Sequence, residues 1–224
     1  MQIELVAADG HRLSAWRTGP ADASRALVVV QEIFGVNRHM RRVCERFAQQ
    51  GYAVVAPALF DRVRRGVELG YAPEDVKEGR ALRGGVGEAE TLLDIAAAAA
   101  ALPAGARRGI IGYCWGGTVA WHGATRGAMG APGFAAAVGY YGGGIAAARE
   151  EVPACPVQLH FGAVDQGIPL SDVEAIRAAR PEVEVFVYPD AGHGFACEER
   201  GSYSPVDTVL AEQRSLGFLA RHLG

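Results

Sequence analysis

The stretch "RRGIIGYCWGGTVAWHGA", Arg107 to Ala124, decides how the chain reads. An apolar run, Gly109-Ile110-Ile111-Gly112, stops at Cys114, and helix-like sequence begins at Trp115. Gly112 and Gly116 stand two residues to either side of the cysteine. A strand-to-helix corner with this G-x-nucleophile-x-G spacing has a mechanical reason. The turn is tight and its central residue strained, so that side chain stands exposed above the sheet edge, and its neighbours two residues away must be small. The free N–H groups and dipole of the following helix favour a thiolate at Cys114. The backbone N–H of Trp115 is placed to donate to an oxyanion. A small buried cysteine at a tight turn would look the same, so the corner needs partners elsewhere in the chain.

Outward from that corner, strands and helices alternate. "QIELVAA", the turn Asp9-Gly10 and "RLSAWRT" predict a hairpin. "ALVVVQEIFG" and "YAVVAPALF" are continuous apolar runs, suited to strands buried on both faces of a parallel sheet. Between them Arg38 to Gln50 predicts a helix, with Met40, Val43, Cys44 and Phe47 on its core face and Gly51 ending it. Residues 61–86 are polar and weakly patterned, a stretch that covers the site in this reading, and Arg62-Val63-Arg64-Arg65 reads as a solvated loop. A helix of strong formers follows from Gly87 to Leu102, closed by Pro103. Beyond the Cys114 corner and its helix, Trp115 to Gly127, come the strands "AAAVGYYG", "PVQLHFG" and "VEVFVYP", with helices at Ser171–Ala179 and Asp207–His222. This alternation predicts an α/β fold: one domain over residues 1–224, a mainly parallel sheet with helices on both faces.

A thiol nucleophile wants a base and an acid that orients it. In an α/β-hydrolase arrangement these follow in the order nucleophile, acid, histidine, each on a loop after a strand. Asp165 lies four residues beyond Phe161 and His193 five beyond Tyr188, so both fall at carboxyl ends of strands, the edge where such sheets bind ligands. Asp190 starts the His193 loop and reads as a turn residue. His160 falls inside a strand and reads as packing, His122 as mid-helix, and His11, His39 and His222 as surface.

At these residues the chain resembles the dienelactone hydrolase family of α/β-hydrolases. The resemblance rests on "QEIFGVN" (Gln31–Asn37), "GYCWGG" (Gly112–Gly117), "GYYGGG" (Gly139–Gly144), "GAVDQGIP" around Asp165 and "AGHGF" (Ala191–Phe195), in register over nearly the whole chain. It implies about seven or eight mostly parallel strands and cofactor-free hydrolysis of a lactone or carboxylic ester through an acyl-thiol intermediate. By position Cys114 is then the nucleophile, His193 the base and Asp165 its orienter. Glu32 matches a family glutamate beside the thiol, and the Ile33 N–H becomes the second oxyanion donor. Glu32 also stands out unaided, because a carboxylate directly after a buried strand is costly unless paired or protonated. Phe34, Trp115 and Tyr141 are pocket candidates. The family arginine four residues after the histidine is Cys197 here, with Arg200 three further on as a substitute. A second family arginine falls in the region of residues 73–83, which is shortened, and Arg80 and Arg83 do not align cleanly with it. These departures favour a broad ester or lactone specificity over an anionic dienelactone.

The whole-chain properties agree. The 224 residues are 50 % hydrophobic and 21 % charged, with a net charge of -3, which excludes disorder and gives no basic stripe for nucleic acid. The start "MQIELVAADGHRLSAW" lacks a basic head and apolar core, and the longest greasy run, Ile95 to Leu102, is far short of the ~20 residues a span needs. A cytoplasmic enzyme without membrane partner is the expectation, monomeric or homodimeric, acting on a small molecule. The four cysteines form no CxxC pair and no HExxH is present, so no metal is implied. Two other readings remain. Gly142-x-Gly144-x-x-Ala147 superficially matches a dinucleotide fingerprint, but Pro153 ends its short helix. A non-catalytic protein using Cys114 as a sensor thiol would need no ordered acid and base.

Overall fold

The computed structural model describes residues 1–127 and 130–224. Eight strands form one sheet: β1 (Gln2–Val6), β2 (Arg12–Thr18), β3 (Arg25–Val30), β4 (Ala53–Pro57), β5 (Arg107–Tyr113), β6 (Ala136–Tyr140), β7 (Val157–Gly162) and β8 (Glu184–Tyr188). Their spatial order is β1-β2-β4-β3-β5-β6-β7-β8. The β1–β2 hairpin joins β4 antiparallel, and from β4 to β8 every neighbour is parallel. The expected mostly parallel α/β architecture is therefore the one observed.

The central strands are greasy throughout because both their faces are covered. Leu27 to Val30 of β3 have no exposed surface. The described residues hold the helices α1 (Arg38–Gln49), α2 (Pro73–Gly84), α3 (Glu88–Ala100), α4 (Trp115–Thr125), α5 (Leu170–Ala179) and α6 (Pro205–Leu223), of which α1, α3, α4 and α6 pack on the strands. Successive β5 residues show the two layers. A Cβ at Gly109 would meet Leu223 of α6, while Ile110 reaches Gly123 of α4 on the opposite side. Arg46 of α1 pairs with Glu212 of α6, so these two helices share a face. The α1 helix starts at Asn37, whose side chain accepts from the Met40 N–H at 3.2 Å. Gly51, with φ +86°, follows its end.

Several elements differ from expectation. The run "ALVVVQEIFG" leaves the sheet at Val30, because Gln31 turns to bond locally: its amide donates to the Glu32 carbonyl and its oxygen accepts from the Leu59 N–H. Residues 61–86 contain the helix α2. Its periodicity is faint because only Gly79 and Leu82 are buried in it. The signal it did carry was its start, Pro73 followed by Glu74 and Asp75, with the Asp75 carboxylate accepting from the Ala72 N–H at 3.0 Å. Arg62 is no solvated loop residue. Its guanidinium grips Asp94, fully buried in α3, through two bonds of 2.7 and 2.8 Å, and reaches Asp9 as well. Finally His39 is fully buried on α1 rather than at the surface. No helix among the described residues is long and apolar enough to cross a membrane.

Candidate active site

The corner at Cys114 is built by close backbone approach. Cys114 sits at φ 55°, ψ -118°, a conformation a non-glycine residue holds only under strain. A Cβ on Gly112 would lie 1.9 Å from the Gly116 carbonyl oxygen, and one on Gly116 would lie 2.4 Å from the Val30 oxygen. Gly117 is as constrained, 2.5 Å from the Tyr140 oxygen. Any side chain at these positions would push α4 off β3 and β6. The strain leaves the Cys114 thiol partly exposed at the mouth of α4, where the first N–H groups lack intrahelical acceptors.

Two further strand ends converge on the sulfur. His193 Nε2 lies 3.2 Å from Cys114 Sγ, and His193 Nδ1 lies 2.7 Å from Asp165 Oδ2. The second Asp165 oxygen accepts from the Gly167 N–H at 2.8 Å, so both carboxylate oxygens are held. The Ser202 hydroxyl bonds the His193 carbonyl at 2.6 Å and fixes the loop that carries the ring. Burial opposes a proton on His193, but the bonds to Asp165 and Cys114 outweigh it and lift the pKa to about 10. Asp190 is exposed in the turn.

Glu32 has no exposed surface and lies below this group. One oxygen is 3.3 Å from Arg200 Nη1, and the other has no hydrogen-bond partner. Burial raises the Glu32 pKa, against the pull of Arg200 and His193. Arg200 comes close because residue 194 is glycine: a Cβ there would sit 2.5 Å from the guanidinium. The Arg200 head also lies over the Phe34 ring, 5.7 Å from its centroid.

A cleft of about 290 Å³ opens above Cys114 and His193. Ile33, Phe34, Trp115 and Ile168 form apolar wall, while Arg80, Arg83 and Arg200 bring three guanidiniums to it. The α2 helix delivers Arg80 and Arg83. It packs so tightly on the Ile33 carbonyl that a Cβ at Gly79 would lie 2.0 Å from that oxygen. Val76 and Thr118 also line the cleft and were not anticipated; Val76 belongs to the faintly patterned α2. Tyr141 is not part of the wall, contrary to expectation. With φ 38° after β6, it tucks wholly under His193, ring centroids 5.2 Å apart, and packs against Phe195. Another cleft, against Trp16, Arg41 and Asp61, is lined by neither a cysteine nor a histidine.

A model of the dienelactone hydrolase family matches residues 13–223. The chain belongs to the dienelactone hydrolase family. It is accordingly a hydrolase. It is 38 % identical over 207 residues to a protein of Synechocystis sp. provisionally designated a carboxymethylenebutenolidase, with 84 % of this chain and 82 % of the relative covered. It is 33 % identical to the carboxymethylenebutenolidase of Pseudomonas putida over 97 % of this chain and 95 % of that one. A crystal structure from Klebsiella pneumoniae, provisionally designated a dienelactone hydrolase, superposes with a TM-score of 0.79 at 32 % identity, covering 98 % of this chain and 99 % of that one. Family membership accounts for the mostly parallel sheet with its flanking helices.

Proposed function

We propose that this family member hydrolyses a lactone or carboxylic ester that itself carries an anionic group, using Cys114 as nucleophile. The observation that supports it most is His193, bonded to Asp165 on one side and Cys114 on the other, at the floor of a cleft with three arginines. In this reading the proton of the thiol resides on His193, steadied by Asp165, and the sulfur attacks the carbonyl carbon. The oxyanion that forms accepts from the N–H groups of Trp115 and Ile33. His193 then gives its proton to the departing alkoxide or enolate. The acyl-thiol is cleared by a water that His193 deprotonates, restoring the thiol and releasing the acid.

Glu32 lies near the floor of this site and shares Arg200 with it. An anionic substrate group that engages Arg200 competes with Glu32 for the same guanidinium. Arg80 and Arg83 add attraction from the opposite wall. A substrate anion held by such guanidiniums is positioned as well as concentrated, because the planar fork fixes its orientation. The broad specificity suggested by the sequence register thus gives way, in this proposal, to a preference for negatively charged esters and lactones.

The test is a screen of the purified protein against aryl esters and simple lactones, in neutral and carboxylate-bearing pairs. The expected result is iodoacetamide-sensitive hydrolysis, faster for the anionic partner at low substrate. Cys114→Ala and His193→Ala should each lower kcat by about three orders of magnitude or more. Activity surviving Cys114→Ala would sink the mechanism. Equal kcat/KM for both members of each pair would remove the anion preference and leave the nucleophile standing.

A further inference from the structure

Behind the cleft Glu32 meets two chemically capable side chains that the hydrolytic reading leaves unused. Glu32, His39 and Cys197 each present one ligand atom, and these atoms all fall within 4.8 Å of one another. They come from three separate places: the loop after β3, the first turn of α1 and the loop after β8. All three residues are fully buried.

Three polar atoms here lack partners. Neither ring nitrogen of His39 has a hydrogen bond, and the second carboxylate oxygen of Glu32 has none either. An imidazole sealed in the interior with both nitrogens unsatisfied costs free energy that a Phe or Leu would avoid. The Cys197 thiol is free. Packing alone gives no reason to bring an imidazole, a carboxylate and a thiol together in this state; a shared ligand does.

The donor set names the ligand. One sulfur, one imidazole nitrogen and one carboxylate oxygen suit a borderline-soft divalent cation, and exclude calcium or magnesium, which take oxygen shells. Bonds of about 2.0–2.3 Å in a tetrahedron place ligand atoms roughly 3.3–3.8 Å apart, which needs only small side-chain movements here. The Tyr71 hydroxyl, held by the Asn37 amide at 3.1 Å, borders the cluster, its ring edge-on to His39 at 6.4 Å. The hydroxyl also bonds toward Glu32 and Cys197, so it closes the polar side of the cluster.

We infer that Glu32, His39 and Cys197 form a zinc-binding site next to the hydrolytic centre. Binding ionises the Cys197 thiol and releases its proton to solvent. The thiolate and the Glu32 carboxylate together balance the charge of the cation, and His39 binds as neutral imidazole. Zinc takes up the Glu32 oxygen that Arg200 leaves free. It ties the loop carrying Ile33 to the loop carrying His193, so occupancy changes hydrolysis as a consequence of binding.

Binding is read without reference to hydrolysis, so its outcome is independent of the proposed reaction. Cobalt(II) added to the metal-free protein should give a thiolate-to-cobalt charge-transfer band in the near ultraviolet at one equivalent, which zinc abolishes by displacement. The band should persist in Cys114→Ala and vanish in Cys197→Ala. His39→Phe, which replaces the imidazole with a ring of similar shape, should weaken binding by at least tenfold while leaving the circular dichroism unchanged. Zinc should raise the Tm of the unaltered chain and not that of His39→Phe. Absence of any thiolate band overturns the site. So does a band lost in Cys114→Ala but kept in Cys197→Ala, since the metal would then sit on the Cys114–His193 pair.

Discussion

His193 shows how a single side chain can be tuned against its surroundings. Burial alone would discharge it, yet its bonds to Asp165 and Cys114 carry its pKa from an ordinary 6.5 to about 10. A folded-state pKa above the unfolded one means that these bonds stabilise the fold fully below pH 6.5 and lose that contribution as pH rises through about 10. The Tm gap between the native chain and His193→Gln, which cannot titrate, should therefore narrow steadily across that window. A gap independent of pH would show that the imidazole is not held as a cation. The types of the three residues were readable from order and spacing alone. The companion role of Arg200 was not, because its approach to Glu32 depends on Gly194 leaving room for a guanidinium.

Among the elements, α2 carries the most consequence for the least sequence signal. It contributes little to the core, so no hydrophobic stripe marked it, yet it supplies two of the three cleft arginines. It packs closely at Gly79 against the Ile33 carbonyl. Gly79→Ala places a methyl 2.0 Å from that oxygen, and the helix must move away. The expected outcome is a kcat/KM lowered by about tenfold or more on carboxylate-bearing substrates, since both the arginines and the Ile33 N–H shift. Circular dichroism should stay close to native. Unchanged kinetics would mean that α2 is not part of the binding wall. By contrast β3, β5 and α4 were legible early, because a buried apolar run and a glycine-flanked corner admit few other structures.

Across the whole molecule, the parallel half of the sheet is sealed by a buried polar chain. His160 on β7 receives the Tyr188 hydroxyl at 2.8 Å on Nδ1, while Nε2 faces Gln158 at 3.0 Å and Ser215 of α6 at 3.0 Å. Ser215 in turn meets the Tyr140 hydroxyl at 2.8 Å, which ties α6 to β6 and β7. Burial lowers the His160 pKa from 6.5 to about 3. Below pH 6.5 the unfolded chain takes up a proton that the fold refuses, so stability falls by up to about 1.4 kcal/mol per pH unit until about pH 3. Urea unfolding across this range should show stability falling as pH falls, and His160→Gln should lessen that slope by one proton's worth. An identical slope in both proteins would refute the assignment.

The sequence by itself determined the strand–helix alternation, the parallel sheet and the cysteine corner. Each rests on local sterics or on burial of both faces, which are written into nearby residues. It also set the types and order of Cys114, Asp165 and His193, since each follows its own strand. Only the tertiary structure decided what meets across the molecule. It brought His39 inside against Cys197 and Glu32, paired Arg62 with the buried Asp94, drew Tyr141 beneath His193 and gathered Arg80, Arg83 and Arg200 around one cleft. These contacts join residues far apart in the chain, and their distances follow from how α1, α2 and the loop after β8 pack, which no local pattern encodes.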